Sequence, residues 1–429
     1  MELKKYKLAD IAKIEISGVD KKTIEGETPV RLCNFVDVYY NWAITKEKAK
    51  LFMVASAKQT EIDKCSIGKG MVAITKDSET RDDIGVATYI ADDFEDVVLG
   101  YHCALIIPNS SVVDGKYLNA FMHTRYIQKY FENNASGSGQ RYTLSNDTIS
   151  NIPVLLPSIE EQHTIGKVLA DIDRKIELNK QINDNLEAMA KQLYDYWFVQ
   201  FDFPNEEGKP YKSRGGAMAW DEKLKREIPQ GWTAAKIKDV AQTYSGGTPT
   251  STNSEYYDGG DIPWINSGEL NNPIITSTTN YITEEGLNNS SAKLYPQDTV
   301  LVALYGATAG KVSLLSFEAC SNQAVCGVIP QNKIMTTYIR YYLSSLYEHF
   351  ITLSSGSARD NISQDTIKNT ILPIPQGKIL KEFSDAVAPI ISKIIANQKE
   401  MENLTKQRDE LLPLLMNGQA SVNYHLSDD

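Results

Sequence analysis

The sequence has few of the residues that usually carry metal or redox chemistry. Its 429 residues include only five cysteines and five histidines. No Cys-x-x-Cys pair occurs, and no histidine lies at metal-ligand spacing from a cysteine, so zinc sites and disulfides are disfavoured. The cysteines are therefore predicted to be buried, reduced thiols of a cytosolic protein.

Long apolar runs and basic segments are also absent. No run of about 18 apolar residues occurs, so no membrane span is expected. The lysine-rich first residues lack the apolar stretch of a secretory signal. The net charge is -11, and no long segment is net basic. If the protein binds DNA, either a small basic face lies against an acidic surface or a partner supplies most phosphate contacts.

No catalytic constellation is found. A methyltransferase would need a Gly-rich cofactor loop and an Asn/Asp-Pro-Pro-aromatic loop, and a nuclease would need clustered carboxylates with a lysine. The run at 306–313 resembles a phosphate loop, but only three residues separate its glycines, and Val312 replaces the magnesium-binding Ser or Thr. A turn that places Lys311 on a DNA phosphate and a plain hairpin turn both remain open. No catalytic residue and no metal ligand is predicted.

The sequence does contain an internal repeat. Ser-Asn-Asp-Thr-Ile at 145–149 corresponds to Ser-Gln-Asp-Thr-Ile at 363–367. A small-residue loop with Arg141 or Arg359 precedes each run, and an apolar strand and a long charged segment of helical spacing follow it. Such repetition indicates two similar domains, each followed by a long helix.

We predict an α+β protein in which two similar mixed α/β domains are separated by two long antiparallel coiled-coil helices. The predicted segments are a first domain at 1–157, a first long helix at 158–201, a linker at 202–225 with little reason to pack, a second domain at 226–375, a second long helix at 376–418 and a tail at 419–429. Strands are expected at 70–75, 103–108, 299–304 and 324–330, and helices at 117–131 and 338–350.

Both long segments repeat apolar residues at alternating steps of four and three. These residues form an apolar stripe along each helix, and pairing the two helices with each other would bury both stripes. The alternative is that each helix is amphipathic and packs on the core of its own domain. Predicted positions in the first helix include Ile182, Met189 and Tyr196. The seam and partner-docking residues are predicted to be Ile172, Ile176, Leu186, Leu193, Ile394, Asn397, Met401, Leu404 and Leu411.

Three residues of the second helix carry separate predictions. Asn397 is a candidate for a buried polar residue that fixes the register, although an exposed position is the alternative. Pro389 suits only a first turn or a kink. Pro413, with Gly418, is expected to end the helix.

Several motifs resemble a known family. Tyr-Ser-Gly-Gly-Thr-Pro at 244–249, Gly-Asp-Ile-Pro-Trp-Ile at 260–265, Ser-Asn-Gln at 321–323 and the runs at 306–312 and 356–363 resemble a target recognition domain of the specificity subunit (HsdS) of type I restriction-modification systems. The runs at 156–162 and 411–418 are similar to that family's helical regions. The first domain lacks the Gly-Gly-Thr-Pro opening, which fits a family whose two domains read different half-sites.

The resemblance implies a non-catalytic DNA-binding subunit. Each domain would read one half of a split target in double-stranded DNA through the major groove. The helices would set the gap and dock two methyltransferase (modification) subunits for adenine methylation, and restriction or translocase subunits could join for cleavage. S-adenosylmethionine, ATP and magnesium are expected on those partners, with no cofactor in this chain and no membrane association.

DNA contacts are expected from side chains in the loops of both domains. The candidates are Lys69, Lys76, Tyr101, Arg141, Thr248, Tyr305, Lys311, Asn322, Gln323, Arg359 and Asn361. Arginine is the commonest specific reader of guanine, although a surface salt bridge is the alternative for both arginines. Two rival functions are a single-chain methyltransferase, which would itself bind S-adenosylmethionine, and a coiled-coil scaffold that binds only proteins.

Overall fold

Two long helices organise the chain, Ile159–Tyr194 and Gly377–Met416. The computed structural model describes residues 2–138, 141–354 and 361–421. The chain divides into a first unit, Met1–Leu178 with Met401–Asp429, and a second unit, Asn179–Glu400. Both divisions fall inside the long helices. Each unit therefore contains one globular domain and a part of each helix, whereas the predicted limits treated the helices as separate segments.

The first unit is built on a five-stranded sheet. Its strands, in spatial order, are Ala12–Ile16, Cys103–Pro108, Val72–Thr75, Ala87–Ile90 and Ala43–Ile44. The first three pairings are antiparallel and the last is parallel. Both faces of the sheet are covered: Val72 and Ile74 belong to one core cluster and Ala73 to another. This explains why the central strand is a continuous apolar run rather than an alternating one.

Smaller elements surround this sheet. The other strands are Lys4–Lys7 with Pro153–Leu156, Met53–Ala57 with Thr28–Cys33 and Val97–Leu99, and Ser136–Ser138 with Arg141–Thr143 and Asp77–Ser78. The helices are Leu8–Ile11, Phe35–Tyr39, Lys46–Ala49, Gln59–Cys65, Gly115–Met122, Arg125–Asn134 and Asn146–Ser150.

The second unit repeats the five-stranded sheet. Its strands, in spatial order, are Ala241–Ser245, Val325–Pro330, Val300–Ala303, Val312–Leu315 and Ile274–Ile275. The directions of all four pairings match those of the first unit. The fold class predicted from the sequence repeat is therefore confirmed.

The remaining elements of the second unit lie around this sheet. The other strands are Thr233–Lys236 with Ile371–Ile374, Tyr281–Ile282 with Ile262–Ile265 and Cys320–Ser321, and Met218–Asp221 with Arg226–Pro229. The α-helices are Ile237–Val240, Glu284–Asn288, Thr336–Ser345, Tyr347–Ser354 and Gln364–Asn369. Short 3-10 helices span Lys212–Arg214, Ser254–Tyr256, Ser267–Asn271 and Lys333–Met335.

The repeated sequence motif caps a short helix in each unit. Ser145 Oγ accepts a hydrogen bond from the Thr148 amide, and Ser363 Oγ accepts one from the Thr366 amide, both at 3.0 Å. These caps satisfy amides that the first turn of a helix leaves unpaired. The motif thus has the same structural role in both halves.

Three local predictions are wrong. The helix expected at 117–131 is broken after Met122, because Thr124 caps a second helix that begins at Arg125. The helix expected at 338–350 is likewise two helices, Thr336–Ser345 and Tyr347–Ser354.

The third wrong prediction is that the linker at 202–225 has little reason to pack. Phe203 is buried and stacks on Tyr211 and Trp232, with ring centroids 4.7 and 5.4 Å apart. The aromatic rings bury enough apolar area to order a segment that is otherwise rich in proline, glycine and charge.

The buried stripe of the first long helix is shifted from the predicted one. Asn183, Ala190 and Tyr194 are buried, whereas Met189 is 56% exposed and Tyr196 is also exposed. The cause is that polar Asn183 occupies the seam while apolar residues lie outside it, so apolar spacing alone gave the wrong phase. The α-helix ends at Tyr194, and the next residues, Asp195–Val199, form one turn of π-helix.

The second long helix follows its predicted stripe more closely. Phe383, Val387, Ile394 and Asn397 are buried. The helix begins at Gly377 and passes through Pro389, so it does not begin at that proline. Pro413 lies within the final turns, and the helix ends at Met416, before Gly418 adopts φ of 71°.

The two helices run antiparallel where they meet within the second unit. The Asn179 amide donates to Glu400 Oε2 at 3.0 Å, and Asn397 Nδ2 donates to Asn183 Oδ1 at 2.9 Å. Residue numbers therefore rise along one helix where they fall along the other, which means that the helices are antiparallel. Within the first unit, Ile165 and Leu169 share a core cluster with Leu412, Leu415 and Met416.

Candidate nucleic-acid interface

In both units the same two backbone hydrogen bonds form at one end of the central strand, and we call this pair of bonds the frame. In the first unit, the Lys76 amide donates to the His102 carbonyl at 2.8 Å, and the Leu144 amide donates to the Lys76 carbonyl at 2.7 Å. In the second unit, the Leu304 amide donates to the Ala324 carbonyl, and the Ile362 amide to the Leu304 carbonyl, both at 2.7 Å. Positions 76, 102 and 144 therefore correspond to 304, 324 and 362.

In the first unit this frame holds a cluster of charged side chains around Asp77. The Asp77 carboxylate accepts from His102 Nδ1 at 2.6 Å and lies 3.0 Å from Lys76 Nζ and 3.5 Å from Arg141 Nη2. The guanidinium also lies against the imidazole, with Arg141 Nη2 2.5 Å from His102 Nδ1 and 3.1 Å from His102 Nε2, so it is closer to the imidazole than to the carboxylate. A carboxylate with several donors is a stable anchor for cationic groups.

Asp77 is buried and is nevertheless ionised. Its burial opposes ionisation, but hydrogen bonds from Thr143 and His102 and the Lys76 ammonium outweigh burial, so the pKa of Asp77 lies below its usual value. The side chain of Arg141, in contrast, is 58% exposed. The anchor is therefore inside the domain and the guanidinium reaches its surface.

The neighbouring Tyr101 and His102 complete the cluster. His102 has φ of 74°, a left-handed conformation that is uncommon for residues other than glycine. The Tyr101 ring contacts the His102 ring edge-on at 4.0 Å between centroids and lies 5.5 Å from Lys76 Nζ. Tyr101 is 46% exposed, so an aromatic face lies beside the cations at the surface.

Lys69 does not join this cluster. It precedes the strand Val72–Thr75, whereas Lys76 follows it, so the two lysines lie at opposite ends of the strand. Lys69 lines a cavity of about 450 Å³ together with Trp42, Lys116 and Arg174. The structure thus separates Lys69 from Lys76, Tyr101 and Arg141.

In the second unit, the described positions that correspond to Lys76, Asp77 and His102 carry uncharged side chains. Positions 76, 77 and 102 are replaced by Leu304, Tyr305 and Ala324. Thr248 donates to the Gln323 side-chain oxygen, and both residues are exposed. The Asn322 amide donates to Asn266 Oδ1 at 3.0 Å, so Asn322 supports the loop that presents Gln323.

The Gly-Gly-Thr-Pro opening is explained by close packing. A Cβ at Gly246 would clash with the backbone oxygens of Ser321 and Asn322. The Trp264 indole donates to the Gly247 carbonyl at 2.9 Å, which holds the loop from its other side. Glycines and a tryptophan together place Thr248 next to Gln323.

The loop that resembles a phosphate loop is a β-hairpin turn. Its flanking strands, Val300–Ala303 and Val312–Leu315, pair antiparallel, whereas a phosphate loop connects a strand to a helix. Within the turn, Lys311 Nζ donates to Asn271 Oδ1, and Thr308 donates to the Ser267 carbonyl at 2.9 Å. Tyr305 forms a backbone bridge with exposed Asn361. Arg359 lies outside the described residues.

Two functional candidates were missed from the sequence. Asp77 and His102 are at the centre of the charged cluster of the first domain, yet neither was among the candidate contacts. The runs Lys76-Asp77 and Gly100-Tyr101-His102 differ from the second domain's motifs, and that difference is the signal that could have identified them.

Most predicted seam residues lie in or beside the helix pair. Leu186 and Leu193 pack partly against the second unit's core, and Ile394 and Asn397 are buried there. Leu411 packs against the first unit's core. The remaining predicted residues are half-buried: Ile172, Ile176, Met401 and Leu404. Asn183 was missed because a polar residue gives no apolar signal.

A second feature that was missed from the sequence is an ion pair between the first long helix and the second domain. Arg340 is buried, and its Nη2 donates to Glu187 Oε1 at 2.7 Å. Its guanidinium carbon lies 4.7 Å from the Tyr341 ring centroid. Arg340 Nε and Glu187 Oε2 are buried without a hydrogen-bond partner, so this ion pair is only partly satisfied.

The cysteines form no reactive site. All five are free and buried, which confirms the prediction of buried reduced thiols. Burial raises the pKa of Cys103, Cys320 and Cys326 to about 12. The described residues contain no group of three or more His, Cys, Asp or Glu side chains that could hold a metal ion. Within the same ranges, no helix is both long and apolar enough to cross a membrane.

The architecture defines a class of duplicated protein in which two α/β domains with different surface side chains are each followed by a long helix. The family model described as the type I restriction modification DNA specificity domain matches residues 1–188 and again 229–406. Each match spans one domain and most of the helix after it. The chain therefore belongs to the specificity-subunit (HsdS) family of type I restriction-modification systems.

Individual relatives agree with this assignment. The chain is 27% identical over 402 residues to the HindI specificity subunit of Haemophilus influenzae, covering 80% of this chain and 85% of that protein. It is 29% identical over 322 residues to the MjaIX specificity subunit of Methanocaldococcus jannaschii, covering 74% and 71%. These relatives identify the chain as a non-catalytic DNA-recognition subunit.

A solved structure supports the fold. The type I restriction-modification S subunit from M. genitalium aligns with a TM-score of 0.58 and 14% identity, covering 97% of this chain and 96% of that one. At this identity the comparison concerns the fold alone. Specificity subunits of these systems bind DNA and assemble with the other subunits.

Proposed function

We propose that this specificity subunit reads a bipartite target in double-stranded DNA, with one half-site read by each unit. The observation that carries the proposal is the repeated frame with different side chains at equivalent positions. At equivalent positions the frame carries Lys76, Asp77 and Tyr101 in the first unit, and Leu304, Tyr305 and Gln323 in the second unit. Different donors and acceptors on equal frames would read different base edges in the major groove.

The proposal includes two methyltransferase (modification) subunits that dock on the long helices, and restriction or translocase subunits that join them. An exposed stripe supports docking: Met189, Tyr196 and Val199 are large apolar residues that are each at least 37% exposed. Large apolar side chains that are exposed close together in sequence on one helix end are candidates for an interaction site. In this arrangement the partners bind S-adenosylmethionine, ATP and magnesium, methylate adenine and cleave DNA.

The target proposal is tested by co-expressing the chain with its modification subunits and sequencing methylated adenines across the genome. The expected result is one motif with two defined halves and an undefined gap. A motif with a single continuous block would contradict reading by two units. Labelled S-adenosylmethionine should bind the assembly and not the purified chain, whereas binding by the chain alone would revive the single-chain methyltransferase.

The docking proposal is tested with Met189→Glu and Tyr196→Glu together. Two charges in the exposed stripe should abolish co-purification of modification subunits, because each charge would lose its hydration in the interface. Lys180→Glu is the matched control, since Lys180 is exposed on the same helix and, nine residues before Met189, lies on the opposite face. Undiminished co-purification of the double variant would show that the partners bind elsewhere.

A further inference from the structure

The cluster around Asp77 has an arrangement that a simple surface salt bridge does not need. The acid is buried and accepts from His102, and it lies close to Lys76 and Arg141. An exposed ion pair is held by two flexible side chains and contributes little. Here the anchor is fixed inside the domain, and only one of its cationic partners, Arg141, is mostly exposed.

The backbone reinforces this anchor. His102 holds a left-handed conformation, and its carbonyl accepts from the Lys76 amide at 2.8 Å. The strand that carries Arg141 is paired to Asp77 through Thr143. The carboxylate, the imidazole and the guanidinium are therefore supplied by three separate segments that are held together by main-chain hydrogen bonds.

We propose that Asp77 is a positioning residue that orients Arg141 to read a guanine in the half-site of the first unit. Arginine pairs with guanine O6 and N7 through two parallel donors, a geometry that requires a defined guanidinium plane. A phosphate contact requires only a nearby positive charge. Asp77 itself is buried and occupied by donors, so it orients the reader and does not touch the base.

This inference rests on the proposed function, and it adds a base identity that the fold does not supply. The half-site of the first unit should contain a G·C pair whose replacement is discriminated through Arg141. The equivalent positions of the second unit give no such expectation, because Tyr305 replaces Asp77 and Ala324 replaces His102.

The test measures methylation rates of the full assembly on duplexes that carry every single base-pair change in the first half-site. Arg141→Lys keeps the charge but removes the paired donors. It should reduce discrimination at one G·C position by about tenfold or more, within the range of a lost bidentate contact. Discrimination in the other half-site should be unchanged.

Asp77→Asn tests positioning. The asparagine side chain is uncharged, and its NH2 group would face the donors of Lys76 and His102. The Arg141 guanidinium would therefore lose the carboxylate that orients it. The same G·C position should lose discrimination, although Arg141 is still present, and Asp77→Glu should restore part of it. A merely structural defect would instead weaken all positions together, and a melting curve of the assembly would report it separately.

Arg125→Lys is the matched control, because Arg125 is an exposed arginine of the same domain that is paired to Glu132 at 3.2 Å. It should leave every position unchanged. Equal weakening at all base pairs by Arg141→Lys would identify a phosphate contact and overturn the inference. Full discrimination in Asp77→Asn would overturn the positioning role. If exchanging the whole first domain left the motif unchanged, the proposed function itself would fail.

Discussion

The two units have five-stranded sheets of the same topology and differ in the side chains at one edge of the sheet. The strand order and directions are the same in both, and the same backbone hydrogen bonds recur at equivalent positions. The first unit places an anchored charge cluster there, and the second places hydroxyl and amide groups. The comparison shows that the frame is set by buried strands and caps, which leaves the surface side chains free to differ.

The units also differ in how they hold the long helices. In the second unit, a buried ion pair joins Glu187 to Arg340, and a buried amide pair joins Asn183 to Asn397. In the first unit, Arg408 lies 4.7 Å from the centroid of Trp42. The second unit thus uses buried polar bonds, which are sensitive to the loss of one partner.

The largest effect is expected from Arg340→Met in the second unit. It leaves the half-buried Glu187 carboxylate, whose side chain is 25% exposed, without its partner, which should cost about 2–4 kcal/mol, less than for a fully buried pair. Hydrogen exchange should show that the opening free energy of 336–345 and 179–194 falls by this amount, while the first unit's sheet is unaffected. Lys381→Met removes an exposed pair with Asp385 and should cost less than about 1 kcal/mol.

Replacing both members of the buried pair sharpens this result. Glu187→Leu with Arg340→Met removes both charges and the two unpartnered polar atoms. The double variant should recover most of the stability that the single variant loses. No recovery would show that the guanidinium stabilises the second unit mainly through its contact with Tyr341.

A smaller effect is expected from Asn397→Leu. It leaves the buried Asn183 Oδ1 without its donor, although Asn183 Nδ2 still donates to the Ile394 carbonyl, and it should cost about 1–3 kcal/mol. The second change Asn183→Leu should restore stability, while broadening the registers that the helix pair adopts. Exchange rates along Asn179–Glu400 measure both effects. Asn185→Leu, at an exposed position of the same unit, should be close to neutral, and an equal loss there would contradict a specific amide pair.

The smallest effect, in the first unit, depends on pH. Burial raises the pKa of Asp173 to about 6, although Lys48 and Arg408 oppose that rise. Because the folded pKa exceeds the usual 3.8, ionisation costs stability as pH rises from about 4 to 6. Asp173→Asn should therefore stabilise the first unit by about 1–2 kcal/mol at pH 7, since partial exposure reduces the full cost.

The stabilisation should shrink toward pH 4 and disappear below about pH 3, where both folded and unfolded forms hold the proton. Melting temperatures across this range measure it. Asp171→Asn is the control, because Asp171 is exposed on the same helix and should change little. Destabilisation by Asp173→Asn at pH 7 would mean that attraction to Lys48 and Arg408 exceeds the cost of burial.

The sequence predicts the parts of the fold that local patterns encode. Apolar runs identified the central strands, and the repeated Ser-x-Asp-Thr-Ile motif identified two similar halves, whereas its capping role at Ser145 and Ser363 is seen only in the structure. The phase of the first long helix was not predictable from apolar spacing, because Asn183 lies in the seam and Met189 lies outside it. The linker was misinterpreted because the stacking of Phe203 on Trp232 depends on tertiary packing.

The candidate site was only partly predictable for a similar reason. Lys76, Tyr101 and Arg141 were identified, but the cluster that joins them depends on Asp77 and His102, which come from segments far apart in the chain. A buried acid among donors looks like any surface acid in sequence. Lys69 was grouped with the others by residue type, yet it lies at the other end of its strand.

The central claim, that the two units read separate half-sites, is tested most directly by exchanging residues 1–157 for the first domain of another specificity subunit. Genome-wide sequencing of methylated adenines compares the parent and exchanged assemblies. The account predicts that one half of the methylated motif changes completely, while the other half is retained. A motif whose halves change together, or not at all, would contradict independent reading by the two units.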